Sequence, residues 1–144
     1  MGHGGGSFDY TVAEAAIAQG CPPDTIASDV HVFGGNTPGV PYLPWVMSKF
    51  LNMGYSLAEV VSMATLAPAR VINRIPKHGT LQAGAPADLS IMELVEGPVS
   101  FVDTRNNTRQ GKVFLKPAGA GAVVAGAGAG VVFGRPYQAP FAVR

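Results

Sequence analysis

The stretch from Ser62 to Leu94 constrains the fold of this chain more than any other part of the sequence. Just before it, Ser56 and Glu59 have the spacing of a capping box, in which each side chain satisfies a backbone N–H of the first helical turn. The helix that they open is interrupted at Pro68, and proline suits the first turn of a second helix. The sequence therefore predicts two short helices in succession.

Two glycines then mark the change from helix to strand. Gly79 and Gly84 bracket a short run, and glycine adopts turn conformations that side chains with a Cβ resist. An apolar run from Ala87 to Leu94 follows and is typical of a strand. The predicted order is helix, helix, turns and strand.

This order of motifs resembles the C-terminal part of the amidohydrolase superfamily. The matching motifs are Ala-Thr-x-x-Pro-Ala-Arg, which ends at Arg70, and Gly-Thr-Leu-x-x-Gly-x-x-Ala-Asp-Leu, which begins at Gly79. The resemblance implies an α/β fold, in which the C-terminal part of a (β/α)8 TIM-type metal-dependent hydrolase barrel is followed by a small β-sandwich-like domain. We expect the last barrel units in residues 1–76, and the β-domain strands with a Gly/Ala-rich connector in residues 77–144.

The resemblance also implies an activity and a cofactor. The expected reaction is hydrolysis of an amide C–N bond, N-acyl or cyclic, by water activated at one or two divalent metals, with zinc as the expected metal. A whole barrel takes roughly 250 residues, and this chain has 144 and lacks the family's His-x-His ligand pair. We therefore expect a portion of such an enzyme, one that begins in mid-fold. A catalytically inert fragment or partner-dependent piece is the alternative.

The predicted site lies near the start of the chain. Within the superfamily, residues 2–8 and 24–31 look most like the dihydroorotase-like deacetylases. In the mapping that this resemblance implies, residues 2–8 end barrel strand seven and residues 24–31 form strand eight. Asp29 then matches the strand-eight aspartate, which would ligate the metal and accept the proton of the attacking water. His31 lies two residues further along a predicted strand and therefore on the same face. It would touch substrate or orient Asp29.

The glycine-rich run at His3 has three interpretations. In the family interpretation, His3, Gly4 and Gly5 line the substrate pocket, and the glycines let substrate approach the backbone. The run also resembles the oxyanion hole of esterases, but that interpretation requires a Gly-x-Ser-x-Gly elbow, which the sequence lacks. The third interpretation is an expression linker, and the family-like continuation at Phe8 argues against it.

Capping, glycine and β-branched patterns predict the remaining elements. Thr11 and Glu14 have capping-box spacing and predict a helix that ends near Gln19, with Gly20 as a left-handed cap. The other predicted elements are a strand at Thr25–Phe33, a helix at Pro44–Met53, and strands at Pro98–Asp103 and Gln110–Leu115 joined by a turn.

Composition argues against several kinds of partner. Charged residues make up 13% of the chain and the net charge is +1, so neither nucleic acid nor a membrane surface is indicated. The uncharged run from Pro117 to Gly134 is mostly Gly and Ala, which insert poorly into membranes, and we interpret it as a connector that ends in a short strand at residues 131–133. A single cysteine and no signal-peptide pattern agree with a cytoplasmic enzyme. Its expected partner is a small-molecule amide substrate, and a homo-oligomer is one option.

Overall fold

The computed structural model describes residues 1–4, 6–31, 42–75 and 78–121. In these ranges, helices precede a two-stranded antiparallel sheet. None of the described helices is long and apolar enough to cross a membrane. The elements are α1 (Tyr10–Ala18), α2 (Leu43–Asn52), α3 (Leu57–Ala64), α4 (Leu66–Val71), β1 (Leu89–Val102) and β2 (Thr108–Gly121).

Helix α1 begins at an aspartate and not at the predicted capping box. Asp9 accepts hydrogen bonds from the backbone N–H groups of Thr11, at 2.8 Å, and Val12, at 3.4 Å. Thr11 lies inside the helix, and the Glu14 carboxylate is bonded to Arg109 of the hairpin. The predicted capping box is therefore wrong, because an aspartate two residues earlier supplies the acceptor that the first turn needs.

Other predicted helix ends are confirmed. Gly20 follows the C-cap of α1 with a φ of 79°. Ser56 and Glu59 form a reciprocal capping box at the start of α3. Helices α3 and α4 meet at Thr65, which places Pro68 in the first turn of α4, where an N–H is not required.

The strands form one long hairpin and not three short segments. The predicted strands at residues 87–94 and 98–103 are one continuous strand, β1, and the predicted turn before β2 is confirmed. A register shift between Glu96 and Val99 accommodates Pro98, which has no N–H to donate, without ending the strand.

Strand β2 is longer than its composition suggests. Its predicted end was Leu115, but pairing with β1 continues to Gly121 and includes the start of the run interpreted as a connector. Neighbouring strand pairing here outweighs the low β-propensity of glycine and alanine. Several predicted features lie outside the described residues: Gly5, the end of the strand predicted at residues 25–33, part of the domain boundary near residue 76, and the strand predicted at residues 131–133.

The strand predicted at residues 25–33 is only a bridge as far as the structure describes it. Ala27 pairs with Gly2 in a parallel bridge. Asp29 then adopts a φ of 52°, which is left-handed and ends the extended pairing. The segment is therefore a short contact between two loops.

The core lies where α2 meets the hairpin and the N-terminal segment. The Trp45 ring packs on Phe101, with ring centroids 4.7 Å apart, and Phe8 meets Phe50 edge to face at 5.9 Å. This packing holds the loop before α1 against α2. The buried side chains of this core cluster are Phe8, Tyr10, Ala13, Ile26, Trp45, Val46, Met47, Phe50, Val60, Val99, Phe101 and Leu115.

Polar side chains of α2 also bind the hairpin. Ser48 Oγ accepts a hydrogen bond from the Leu115 N–H at 2.9 Å. Asn52 donates to the Val113 carbonyl at 2.7 Å and accepts from the Lys112 N–H at 2.8 Å. These bonds fix the register of α2 along β2.

Candidate functional site

Backbone hydrogen bonds bring the predicted aspartate to the glycine-rich run. The His3 N–H donates to the Ala27 carbonyl at 3.2 Å, and the Gly4 N–H donates to the Ser28 carbonyl at 3.0 Å. Asp29 follows directly. The bonds therefore seat Asp29 beside the run that contains His3.

The Asp29 carboxylate occupies space that only glycines leave open. A Cβ added at Gly4 would overlap the carboxylate, and one added at Gly2 would lie 3.0 Å from the Asp29 Cβ. Gly4 also has a φ of 39°, which L side chains rarely adopt. These glycines make room for Asp29, a requirement that the sequence motif alone did not reveal.

Asp29 itself is exposed and has an uncommon backbone conformation. Its φ of 52° lies in the left-handed region, which aspartate tolerates better than most residues. Such conformations cluster at active sites and ligand contacts, where surrounding structure maintains them. The geometry of Asp29 therefore fits a residue held in place for its carboxylate.

His31 is exposed and two residues beyond Asp29. The prediction that the two side chains share a face assumed the alternation of a strand. The left-handed φ at Asp29 interrupts that alternation, so this argument does not apply here. The predicted roles of Asp29 in catalysis and metal binding, and of His31 in substrate binding, stay predictions.

The His3 side chain is fully buried and not exposed on a pocket wall. Its ring stacks on Phe8 with centroids 5.5 Å apart, and Nε2 lies 2.7 Å from the Lys49 Nζ. Burial, followed by the charge of Lys49, lowers the pKa of His3 to about 4, against smaller opposing effects of the Gly4 backbone and Asp103. His3 is therefore neutral at pH 7, and its Nε2 can accept a hydrogen bond from the Lys49 Nζ.

Lys49 is a buried cation that sequence analysis did not single out. Its side chain is 1% exposed, and Nζ donates to the Val102 carbonyl at 2.6 Å. Nζ also lies 5.1 Å from the centroid of the Phe8 ring and 5.8 Å from that of Tyr10. Burial lowers the pKa of Lys49 to about 7, and the Asp103 carboxylate partly opposes this.

Asp103 is a second buried charge, at the end of β1. Its carboxylate accepts backbone N–H groups of Tyr10, Arg105 and Asn107 at 2.8–2.9 Å, and the Asn107 side-chain amide at 2.9 Å. Burial raises the pKa of Asp103, but the hydrogen bonds together outweigh it and lower the pKa below its usual value. Asp103 joins the hairpin turn to the start of α1.

The described residues do not by themselves supply enough ligands to bind a divalent metal. In residues 1–4, 6–31, 42–75 and 78–121, no three His, Cys, Asp or Glu side chains are grouped so that they could hold a metal ion. A catalytic zinc site commonly has three protein ligands. Asp29 alone cannot make such a site.

A cleft of about 320 Å³ lies between α1, α2 and the hairpin. Arg109 at this cleft binds Glu14 through two hydrogen bonds of 2.8 and 2.9 Å. Neither Asp29 nor His31 lines the cleft. The cleft therefore lies apart from Asp29 and His31, although Lys49, which contacts His3, is among its lining residues.

Comparison with known sequences identifies the family. The sequence model of the amidohydrolase family matches residues 9–127. A deacetylase of Agrobacterium fabrum is 37% identical over 117 residues, which are 81% of this chain and 28% of that protein. A deacetylase of Enterococcus faecalis is 32% identical over 117 residues, 81% of this chain and 31% of that protein. The chain belongs to the amidohydrolase family, whose members are generally metal-dependent, and the resemblance is confirmed.

Solved structures agree with this assignment. The crystal structure of an adenine deaminase matches with a TM-score of 0.75 and 30% identity, over 82% of this chain and 32% of that one. A dihydroorotase structure matches with a TM-score of 0.71 and 36% identity, over 82% and 31%. The chain thus spans about a third of the length of the relatives it matches. The family match begins at residue 9, so the roles of His3, Gly4 and Gly5 stay predictions.

Proposed function

We propose that this chain is the C-terminal portion of a (β/α)8 TIM-type hydrolase, and that the whole enzyme hydrolyses an N-acyl or cyclic amide C–N bond. Family membership supports amide hydrolysis, and the relatives named deacetylase and dihydroorotase support these two kinds of substrate. The described helices precede residue 76 and the described strands follow it, which supports a barrel part and a β-domain with that boundary. A small-molecule amide partner and a cytoplasmic location belong to the same proposal.

The observation that carries the proposal is the close packing of Asp29 against Gly2 and Gly4. An exposed carboxylate that packs against two glycines can accept a proton from a water molecule that attacks the amide carbonyl carbon. As the C–N bond breaks, the same carboxyl group returns the proton to the leaving nitrogen. Asp29 is thus proposed as the general base and then the general acid.

Because no three possible ligands are grouped among the described residues, the proposal places most ligands of the metal that the family implies outside this chain. We propose zinc, with Asp29 as the ligand that this chain contributes. Large exposed apolar side chains, Val71 at 74% and Ile72 at 64%, support a portion that packs against further protein.

A second candidate function is a catalytically inert piece. The absence of a three-ligand group among the described residues favours it for the chain alone. Calorimetry with zinc tests the expectation that both candidates share, namely that the isolated chain binds zinc only weakly, and the kcat of the complete protein separates the two candidates. Stoichiometric sub-micromolar binding by the 144-residue chain would contradict this expectation.

Substitution of Asp29 in the complete protein tests the proposed function. Asp29→Asn should lower kcat by roughly 10²–10⁴-fold on an N-acetylated amino acid or a cyclic amide, because it removes the proton acceptor. Asp24→Asn is the matched control, since it removes the same charge from an exposed position in the same segment. An Asp29→Asn variant that keeps more than about 10% of kcat would overturn the proposal.

A further inference from the structure

We propose that Lys49 is a positioning residue of this site: it holds His3, and through His3 it fixes the backbone of Gly2 to Gly4 against Asp29. The inference rests on the proposed function of Asp29. Lys49 lies on α2, outside the motifs that suggested the site. Its role would be to make the N-terminal loop rigid and not to contact substrate.

Packing alone does not explain a lysine at this position. Its ammonium group is buried with a ring nitrogen and a carbonyl oxygen as hydrogen-bond partners, at 2.7 and 2.6 Å. Both partners are neutral, and burial of a charge without a directly bonded counter-charge is costly. A methionine would fill similar space at a lower desolvation cost. The lysine therefore supplies something that an apolar side chain would not, namely a hydrogen bond to His3.

That hydrogen bond is linked to Asp29 through the backbone of His3 and Gly4. The His3 ring is held between the Phe8 ring and the Lys49 Nζ. The peptide groups on either side of its Cα bond to the segment that carries Asp29. Gly4, the next residue, faces the Asp29 carboxylate with no room for a methyl group. Release of the His3 ring would free the backbone that defines the space around the carboxylate.

Lys49 also binds the Val102 carbonyl, so a merely structural tether between α2 and β1 is the competing explanation. Asn52 provides a matched control for it. Asn52 lies one turn further along α2, and its side chain bonds to the hairpin at Val113 and Lys112. Asn52→Ala therefore weakens the same helix–hairpin interface without removing a partner of His3.

Kinetics of the complete protein test the inference. At a temperature where all variants are folded, Lys49→Met should lower kcat by roughly 10- to 100-fold with KM little changed, because a small displacement of catalytic groups is enough for such a loss. Lys49→Arg, which keeps a donor, should recover part of the rate. Asn52→Ala should keep the wild-type kcat.

Two further measurements address His3 directly. Nitrogen-15 spectra of the His3 imidazole should show an unprotonated Nε2 that accepts a hydrogen bond in the wild type, and a changed tautomer population in Lys49→Met. His3→Phe keeps a ring on Phe8 but removes the acceptor, so it should reproduce the kcat loss even if Lys49→Met does not fold. The double variant should lose no more than either single variant, as expected of residues that act through one contact.

The outcomes separate this inference from the proposed function. If Asp29→Asn is inactive while Lys49→Met keeps the wild-type kcat, the positioning role is wrong and the proposed function stands. Equal losses in Lys49→Met and Asn52→Ala would also overturn it, because they would indicate a structural tether. If Asp29→Asn stays active, the proposed function fails, and the positioning role fails with it.

Discussion

Two aspartates in this chain lie in contrasting surroundings. Asp103 is fully buried, and its oxygens accept four hydrogen bonds from the backbone and from Asn107. Asp29 is exposed, has a left-handed φ, and packs its carboxylate against glycines that leave room for it. Both residues end an extended segment of the chain.

The difference shows how a structural carboxylate can be told from a chemical one. A carboxylate whose oxygens are satisfied by N–H groups has its capacity occupied, and it stabilises the turn that donates to it. An exposed carboxylate whose residue has an uncommon backbone conformation can still accept a proton. Local sequence around the two aspartates does not make this distinction, because it depends on which segments pack beside them.

Gly4, which packs against the Asp29 carboxylate, offers the sharpest further test of the contrast between the two aspartates. Gly4→Ala should lower kcat of the complete protein by roughly 10²-fold, because the methyl group displaces the carboxylate. Gly20→Ala is the control, since Gly20 also has a positive φ but no atom within 4 Å of an added Cβ. It should cost about 1 kcal/mol of stability and leave kcat unchanged. Equal kcat values for Gly4→Ala and Gly20→Ala would contradict the proposed packing of Asp29 against Gly4.

The buried Lys49 should make stability depend on pH. Its pKa is about 7 in the folded protein against 10.5 ordinarily, so the unfolded chain binds more protons between those values. Stability should therefore rise with pH from about 7 to about 10.5, by roughly 1.4 kcal/mol per pH unit from this group. Below pH 7 both states are protonated, and this contribution is constant. Unfolding midpoints of the wild type and Lys49→Met would check it, and parallel pH curves would contradict it.

Loss of the buried aspartate should affect folding more than turnover. Asp103→Ala should destabilise the complete protein by about 3 kcal/mol, because one buried and two partly buried backbone N–H groups lose a charged acceptor. Asp9→Ala removes an N-cap and should cost only about 1 kcal/mol. Denaturant midpoints measure both variants. If Asp103→Ala lost no more stability than Asp9→Ala, the burial of Asp103 would not make its hydrogen bonds more stabilising than those of the Asp9 N-cap.

Removal of the exposed ion pair between Glu14 and Arg109 should have the smallest effect on stability. The Glu14 and Arg109 side chains are 43% and 40% exposed, so Glu14→Ala should cost less than about 1 kcal/mol, and less still in high salt. Arg109→Ala should cost somewhat more, because Arg109 also lies over the Tyr10 ring at 5.2 Å. Thermal unfolding at two salt concentrations distinguishes these costs, and a salt-independent loss above 2 kcal/mol would contradict them.

Local signals predicted much of the secondary structure. The Ser56 and Glu59 capping box, the left-handed Gly20 and the Pro68 helix start are all present, because each depends on contacts within a few residues. Asp9 was missed although it is a good N-cap residue, since the pair Thr11 and Glu14 matched a longer motif.

Long-range pairing explains the strand errors. Strand β1 continues through Pro98, and β2 continues through a Gly- and Ala-rich run, because each strand supplies hydrogen bonds to the other. The segment before His31 has β-branched residues, but the structure leaves it with a single bridge. Strand formation depends on a partner, which composition alone does not identify.

Lys49 was missed for a related reason. One signal was present, because a lysine stands between Val46 and Phe50 on an otherwise apolar helix face. Lysines at such positions usually extend to solvent, so the pattern did not indicate burial. Only the packed segments show that His3 and Val102 meet its ammonium group.

The sequence by itself determined the family, the capping box of α3, the left-handed Gly20 and the aspartate expected to carry the chemistry, because these depend on residue order and short-range contacts. The tertiary structure decided which glycines border Asp29, that His3 is buried on Lys49, and that Asp103 is satisfied by the turn beside it. These features join residues far apart in the chain. Burial and hydrogen bonding between distant segments, and not residue type, separate the structural aspartate from the one proposed for catalysis.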